Sequence, residues 1–301
     1  MLIGIPSFRR PEGLRTLLRS LAKLEDVEGL AIEIFVADND PRGREAAAVC
    51  DEEAPDLAWP VRSGIVAQPG ISAARNRIIA EARSRSAEFV AMLDDDEIAQ
   101  PGWLCALLAM QRRTSADAVG GLVRYEFASA LPPSIAASGY LKTVPRPAGE
   151  VPILTAANNV LISCKSLQAL DWPEFDHRFG ASGGEDTEYF ARLRRKRFRF
   201  AWAPDALTIE HVPLDRMNER AVLARAFRTG NNEVRIYLVN GWTGAIGVAI
   251  AKGAALILTA PLFAPILLIR SRRLWLLAKW ASAVGRIAAL LGRRTSYYGT
   301  S

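Results

Sequence analysis

The sequence predicts an α/β fold with a doubly wound sheet, on two observations. Over the first 110 residues, apolar runs of strand length alternate with amphipathic helical stretches, the pattern of strand–helix units that assemble a parallel sheet. Each apolar run also ends in a polar, glycine- or proline-bearing segment. In open α/β sheets ligands bind beyond the carboxyl ends of the strands, so those segments should converge on one crevice.

In chain order, "LIGIP" reads as a buried strand ended by Pro6. Leu14, Leu17, Leu18, Leu21 and Leu24 follow at helical spacing. "AIEIFVAD" is the next strand and closes on the turn signal Asp38-Asn39-Asp40-Pro41. "GIVAQPG" carries a short strand into a turn, and "ISAARNRIIAEARSR" reads as a helix. "EFVAML" is a buried strand with Asp94, Asp95, Asp96 and Glu97 at its end, and "PGWLCALLAMQRR" starts a helix at Pro101. Residues 118–175 are less regular: "DAVGGLVRYEF" suggests a strand, 128–152 is proline-rich and loop-like, and "ILTAANNVLISCKSL" looks like a strand or turn feeding a helix. A glycine-rich loop then leads into a helix starting near Asp186, where the helix dipole favours a carboxylate, and a strand comes after it.

The net charge is +6, which by itself suggests nucleic acid, but its distribution excludes that reading. From Gly241 onward there is no acid and there are eight cations (Lys252, Arg270, Arg272, Arg273, Lys279, Arg286, Arg293 and Arg294), leaving 30 basic and 32 acidic residues in the first 240. The excess lies among apolar residues, which points to a membrane surface. The stretch 243–269 holds 27 residues with the single charge Lys252; roughly 20 apolar residues suffice to span a bilayer. A single span would put the later cations on the far side, against the positive-inside tendency, whereas a re-entrant hairpin or in-plane helix keeps both flanks on one side. A buried core helix is the other reading, and the missing acids count against it. Cys50, Cys105 and Cys164 form no CxxC pair and suggest a reducing compartment. "MLIGIPSFRR" lacks the charged leader and apolar length of a signal peptide.

Three aspartates at a strand end need donors or an oxygen-liking cation. Asp94 and Asp96 can share one task if the backbone is extended, and Mg²⁺ or Mn²⁺ held by one or two carboxylates keeps positions open for phosphate oxygens. The bland reading of the run is a solvated turn. His211 could by residue type be structural, and His177 has no motif partner.

The succession IPSFRRPEGL, VADND, GISAARNR, MLDDDEIAQPGWL, GGEDTEYFARL and the isolated His211 in "IEHV" resembles a family 2 glycosyltransferase with the GT-A fold, of the bacterial surface-polysaccharide type, over roughly residues 2–215. The resemblance implies a nucleotide-sugar-binding fold with a doubly wound mixed sheet, followed by an apolar, basic helical segment that associates with membrane. It implies an inverting hexosyltransferase that takes a sugar from a nucleotide diphosphate, UDP for preference, to a saccharide or lipid-linked saccharide. By position, Pro6, Ser7 and Arg9 match the opening motif of the nucleotide pocket, although Arg9 stands where Asn is common. Asp38 matches the acid that meets the base, and Arg75 and Asn76 match the Arg-Asn pair near the nucleotide. Asp94 falls near the ribose and sugar, and Asp95 either shares the donor or positions the turn. Asp96 and His211 match ligands of a divalent metal, Mn²⁺ or Mg²⁺, and Asp186 matches the catalytic base. Asn158, Gly184 and Glu185 are candidates for the acceptor side.

Sugar transfer itself calls for this division of labour. An acceptor hydroxyl must lose a proton to a base, and a cation must offset the charge on the departing diphosphate, at different places. The expected organisation is a catalytic domain over 1–215 (nucleotide-binding half 1–115, acceptor half 116–215), a connecting helix over 216–240 and a membrane-associated tail over 241–301. Residues 241–292 would dock the enzyme on the cytoplasmic face of the bacterial inner membrane. The Gln-x-x-Arg-Trp motif of the family's processive synthases is missing, so a single addition per acceptor is expected. Two other classes fit the sequence less well. A nucleotidyltransferase would want a glycine-rich phosphate loop with Lys, which "IPSFRRPEG" lacks. An inert membrane scaffold is at odds with the intact set Asp94, Asp96, Asp186 and His211.

Overall fold

In three of the first four strands, alternate residues enter two different cores, the mark of a sheet covered on both faces. The computed structural model describes residues 1–293; Arg294 and the rest of the expected tail lie outside the described residues. The elements are β1 (Leu2–Ser7), α1 (Pro11–Leu21), β2 (Glu33–Asp38), α2 (Glu45–Glu53), β3 (Val61–Ile65), α3 (Ile71–Ser84), β4 (Phe89–Leu93), β5 (Glu97–Ala99), α4 (Trp103–Thr114), β6 (Ala118–Phe127), α5 (Pro133–Ser138), β7 (Gly149–Val151), β8 (Asn159–Ser163), α6 (Cys164–Ala169), α7 (Glu185–Arg195), β9 (Phe200–Val212), α8 (Glu219–Val239), α9 (Thr243–Leu258), α10 (Ala260–Phe263) and α11 (Arg270–Leu290). Ile3, Ile5, Ile34, Val36, Ala91 and Leu93 pack on one face with the leucines of α1 and with Trp103 and Leu107 of α4. Leu2, Phe35, Ala37, Val90 and Met92 pack on the other with Ile78 and Ile79 of α3 and Tyr189 and Phe190 of α7. The period-2 split follows from the strand geometry, and the continuous apolar runs from burial on both faces.

The strand order is β3-β2-β1-β4-β8-β6-β9-β5, with β7 beside β9. The first four strands are parallel. β8 runs antiparallel to both β4 and β6, which makes the sheet mixed. By packing the chain forms two units. One comprises Met1–Arg124, Thr143–Gly180 and Glu185–Glu210; the other comprises Tyr125–Lys142, Ala181–Gly184 and the chain from His211 on.

Within the second unit, α11 lays Leu274, Ala278, Ser282, Gly285 and Ala289 inward at helical spacing. Leu274 and Ala278 share a core with Val222 and Ala226 of α8 and with Ile135 of α5. The proline-rich stretch read as a loop thus contributes a short helix. Arg286 donates to Glu233 at 2.8 Å, so it is a partner of α8 rather than a free surface cation. Among the described residues no single helix is long and apolar enough to cross a membrane; α9 and the stretch Ala260–Leu268 reach that length and composition only together, across a 58° bend.

Two local expectations change. The aspartate run is not extended: Glu97 N–H donates to the Asp94 carbonyl at 3.2 Å and closes a turn. Glu97 opens β5, paired with β9, and the helix expected from Pro101, α4, begins at Trp103 behind the N-cap Gly102.

Candidate functional site

The parallel strands β1, β2 and β4 end at Ser7, Asp38 and Leu93, and their register brings the loops beyond them together. Ser7 donates its hydroxyl to Asp95 at 2.9 Å, and the Phe8 N–H donates to the same carboxylate at 3.2 Å. Arg10 joins them, donating to Asp95 at 3.1 Å and to Asp96 at 2.7 Å. Asp95 is therefore a buried clamp between two strand ends, and burial lifts its carboxyl to about 6 in spite of Arg10. Asp96 keeps part of its side chain in solvent. Sequence reasoning misses Arg10; its place directly after Arg9 in the opening stretch is the available signal.

Asp38 is buried, accepts the Asp40 N–H at 3.0 Å, and has its carboxyl raised by that burial. Arg9 pairs with Asp40 at 2.7 Å and covers the Phe8 ring, 4.9 Å from its centroid. Ser7, Arg9, Arg10, Asp38 and Asp40 line a small open pocket at the end of β1, beside Pro11. Pro6 lies inside β1, opposite Ala37. Asn39, legible in the sequence only as part of a turn, ties the neighbouring loop: its carbonyl accepts the Gly70 N–H at 2.7 Å, and its amide donates to the Gln68 carbonyl at 2.8 Å.

Arg75 is the hub of the other half. Buried in α3, it donates to Asp94 at 3.1 Å and to Glu185 at the start of α7, with its guanidinium 5.8 Å from the Phe175 ring centroid. Asn76 is engaged elsewhere: its amide donates to the Phe175 carbonyl at 2.9 Å and accepts the Phe175 N–H at 2.7 Å, so it fastens the segment ahead of α7. Burial, with the like charge of Asp186, lifts Glu185 to about 7. Asp186 is raised as well, by burial against the pull of Arg75, and it accepts the Thr187 N–H at 2.6 Å. Asp94 is raised by burial first, and Asp96 adds to it.

Glu97 is buried and pushed well up by burial and by Asp94, Glu210 and Asp96. Asn158 donates to it at 2.7 Å, so the candidate acceptor-side amide is held by the last carboxyl of the acid run. His211 and Gly184 belong to the second unit. The His211 side chain is 60% exposed, with Nδ1 3.8 Å from Glu126. Gly184 lies at φ +89° against Asn232. His177 is exposed near Asn76.

The donor set suits a hard divalent cation. Six carboxyls, Asp94, Asp95, Asp96, Glu97, Glu185 and Asp186, gather near the strand ends; Arg10 donates to Asp95 and Asp96, and Arg75 to Asp94 and Glu185. One oxygen each of Glu97 and Glu185 is buried with no hydrogen-bond partner among the described residues. No group of three or more His, Cys, Asp or Glu is arranged to hold a metal among the described residues. Such a site would leave most coordination positions to phosphate oxygens and water, as Mg²⁺ and Mn²⁺ bound with phosphates have it.

The architecture is that of a GT-A glycosyltransferase. A mannosyltransferase from Pyrobaculum calidifontis, solved with GDP-Man and Mn²⁺, superposes at TM-score 0.59 with 18% identity, over 95% of this chain and 86% of that one. TarS from S. aureus, solved with UDP, superposes at 0.53 with 16% identity, over 97% and 91%. Residues 2–147 match the family described as Glycosyl transferase family 2. The succinoglycan biosynthesis protein ExoM of Rhizobium meliloti (strain 1021) is 32% identical over 235 residues, 78% of this chain and 74% of its own. The chain belongs to glycosyltransferase family 2, and it is an enzyme of glycosyl transfer.

Proposed function

We propose that this glycosyltransferase works by inversion, moving a hexose from a UDP-sugar to a lipid-linked saccharide in the assembly of a surface polysaccharide. The observation that carries the reading is the separation of two acid groups through one buried arginine. Arg75 holds Asp94, beside Asp96, on one hand and Glu185, beside Asp186, on the other. Asp186 takes the proton of the acceptor hydroxyl as it attacks the anomeric carbon, and a carboxyl raised by burial is a better base near neutrality than an ordinary one. Asp94 and Asp96 face the donor, and the pocket lined by Asp38 and Arg9 takes the base. Asp96 would hold a divalent cation, which when bound offsets charge on the leaving diphosphate. His211 as a further ligand rests on the family resemblance alone. Relatives support the donor and the metal: UDP is bound in TarS, and GDP-Man with Mn²⁺ in the archaeal mannosyltransferase. The succinoglycan role named for ExoM supports the polysaccharide.

Docking on the cytoplasmic membrane face is supported by the second unit's surface. Leu258, Leu262, Phe263, Leu268 and Ile269 are exposed around the bend after α9, and Arg270, Arg272 and Arg273 come at once after them, also exposed.

The test is a screen of nucleotide sugars with membrane lipid extract as acceptor, beside calorimetry with UDP. UDP should bind more tightly with Mn²⁺ than without. Asp186→Ala should abolish transfer while keeping that binding, and Asp96→Ala and His211→Ala should weaken the Mn²⁺ dependence. Near wild-type turnover in folded Asp96→Ala and Asp186→Ala proteins would falsify the assignment.

A further inference from the structure

The glycine-rich stretch before α7 is divided: Ala181–Gly184 packs with the second unit, whereas Glu185–Glu210 packs with the first. Polar side chains of α8 hold two of those four residues, Ser182 and Gly183. Asn232 donates its amide to the Gly183 carbonyl at 2.8 Å and reaches the Ser182 carbonyl at 3.5 Å. Arg235 donates to the Ser182 hydroxyl at 2.7 Å and to the Asn232 carbonyl oxygen at 3.4 Å. Ser182, Asn232 and Arg235 are all buried.

An amide and a guanidinium buried on a helix are costly unless hydrogen-bonded, and three residues apart they share one face. The loop they grip fits only as it stands. Gly184 lies at φ +89°, and a Cβ there would fall 2.8 Å from the Asn232 amide nitrogen. The helix beneath is itself fixed, because Asn231 donates to the Gly285 carbonyl of α11 at 3.2 Å. A Cβ on Gly285 would meet the Phe227 carbonyl at 2.1 Å, so the two backbones touch.

One peptide bond separates Gly184 from Glu185, and two separate it from Asp186. We propose that Asn232 and Arg235 are positioning residues for the transfer reaction: by pinning Ser182 and Gly183 they fix the launch point of α7, and with it where Asp186 stands. They act through the loop and touch no reactant. The inference rests on the reading of Asp186 as the base.

The test compares full-length wild type with Asn232→Ala, Arg235→Ala, Arg235→Lys, Ser182→Ala and Asp186→Asn. The readouts are UDP affinity with Mn²⁺ by calorimetry, kcat and KM for the UDP-sugar found in the donor screen, and amide hydrogen exchange over residues 181–187. In Asn232→Ala and Arg235→Ala, UDP affinity should stay within about twofold, while kcat falls about 10- to 100-fold, the cost of a group misplaced by ~1 Å. KM for the donor should hold, exchange over the loop should quicken, and Arg235→Lys should recover part of the loss. Ser182→Ala removes a single hydroxyl; it decides the matter if the larger changes prevent folding, with a smaller fall in kcat and faster loop exchange expected. The proposal is overturned if these variants keep wild-type kcat and loop protection while Asp186→Asn is inactive. It is also overturned if UDP affinity falls in step with kcat, since that marks a general loss of structure. An active Asp186→Asn takes down the base assignment and this inference together, a pattern distinct from the other two.

Discussion

Arg75 carries more of the site than any other single side chain. Replacing it by Met would leave Asp94 and Glu185 facing each other with no cation between them. Breaking a buried pair on one side costs about 3–5 kcal/mol, and Arg75→Met is expected to lose that much in urea unfolding. Arg75→Lys keeps the charge but cannot fork to both carboxylates, so it should fold better than it turns over. The Glu185–Asp186 pair also sets a pH dependence. With Asp186 as the proposed base, turnover needs it ionised, and burial raises both carboxyls, Glu185 to about 7. The activity should therefore climb with pH above the ~4 of ordinary carboxylates. Glu185→Gln removes the like charge beside Asp186, so the acid limb of kcat/KM should move to lower pH; a limb that stays put would show that Asp186 does not govern it. At this scale the sequence is partly legible. The aspartate run stands out because adjacent acids at a strand end need donors or a cation, and Asp186 because its place in the succession of motifs matches the family's base. Arg10, and the bond between Glu97 and Asn158, do not stand out. Arg10 meets Asp95 and Asp96 across more than eighty residues of chain, and local pattern carries no trace of such a meeting.

Among the elements, the junction of α4, β6, β8 and β9 depends on one amide. Asn159 accepts the Trp103 indole N–H at 2.9 Å and donates to the Ala206 carbonyl at 2.9 Å and the Leu122 carbonyl at 3.2 Å. Asn159→Ala would orphan several buried groups at ~1–3 kcal/mol each, for a loss on the order of 3 kcal/mol in urea unfolding. Trp103→Phe should cost less, and in the double mutant the two losses should fall short of their sum. The strands are legible because their apolar runs are buried on both faces, and α1 because its leucines recur on one side. The short pieces elude sequence reading: β5, three residues long, and α5, inside a proline-rich stretch. Neither has enough residues to display a period, and each owes its form to the element it packs on.

For the whole molecule, charge and apolar surface are gathered on one part of the chain. Vesicle co-sedimentation should show binding to anionic but not zwitterionic lipid, weakening with salt. Replacing Arg270, Arg272 and Arg273 by Gln should reduce that partitioning by roughly two orders of magnitude, at ~1 kcal/mol per cation near the surface. Leu262→Ser with Leu268→Ser should lower it without changing its salt dependence. Equal binding to neutral vesicles, or none at all, would count against the docking. The clustering of cations after an acid-free apolar stretch is plain in the sequence. That Arg286 is spent inside, on Glu233, is not, because only the packing of α11 on α8 turns it that way.

The seam between α8 and α11, where Gly285 meets the Phe227 carbonyl, bears on how the enzyme is handled. A hydrophobic C-terminal stretch invites trimming to improve expression, and the chain looks divisible at residue 240. Cutting there would strip α8 of its companion and uncover Val222 and Ala226, which share a core with Leu274 and Ala278. A shortened version that expresses well and still binds UDP could then be a poor catalyst, and its weakness would say little about the native enzyme.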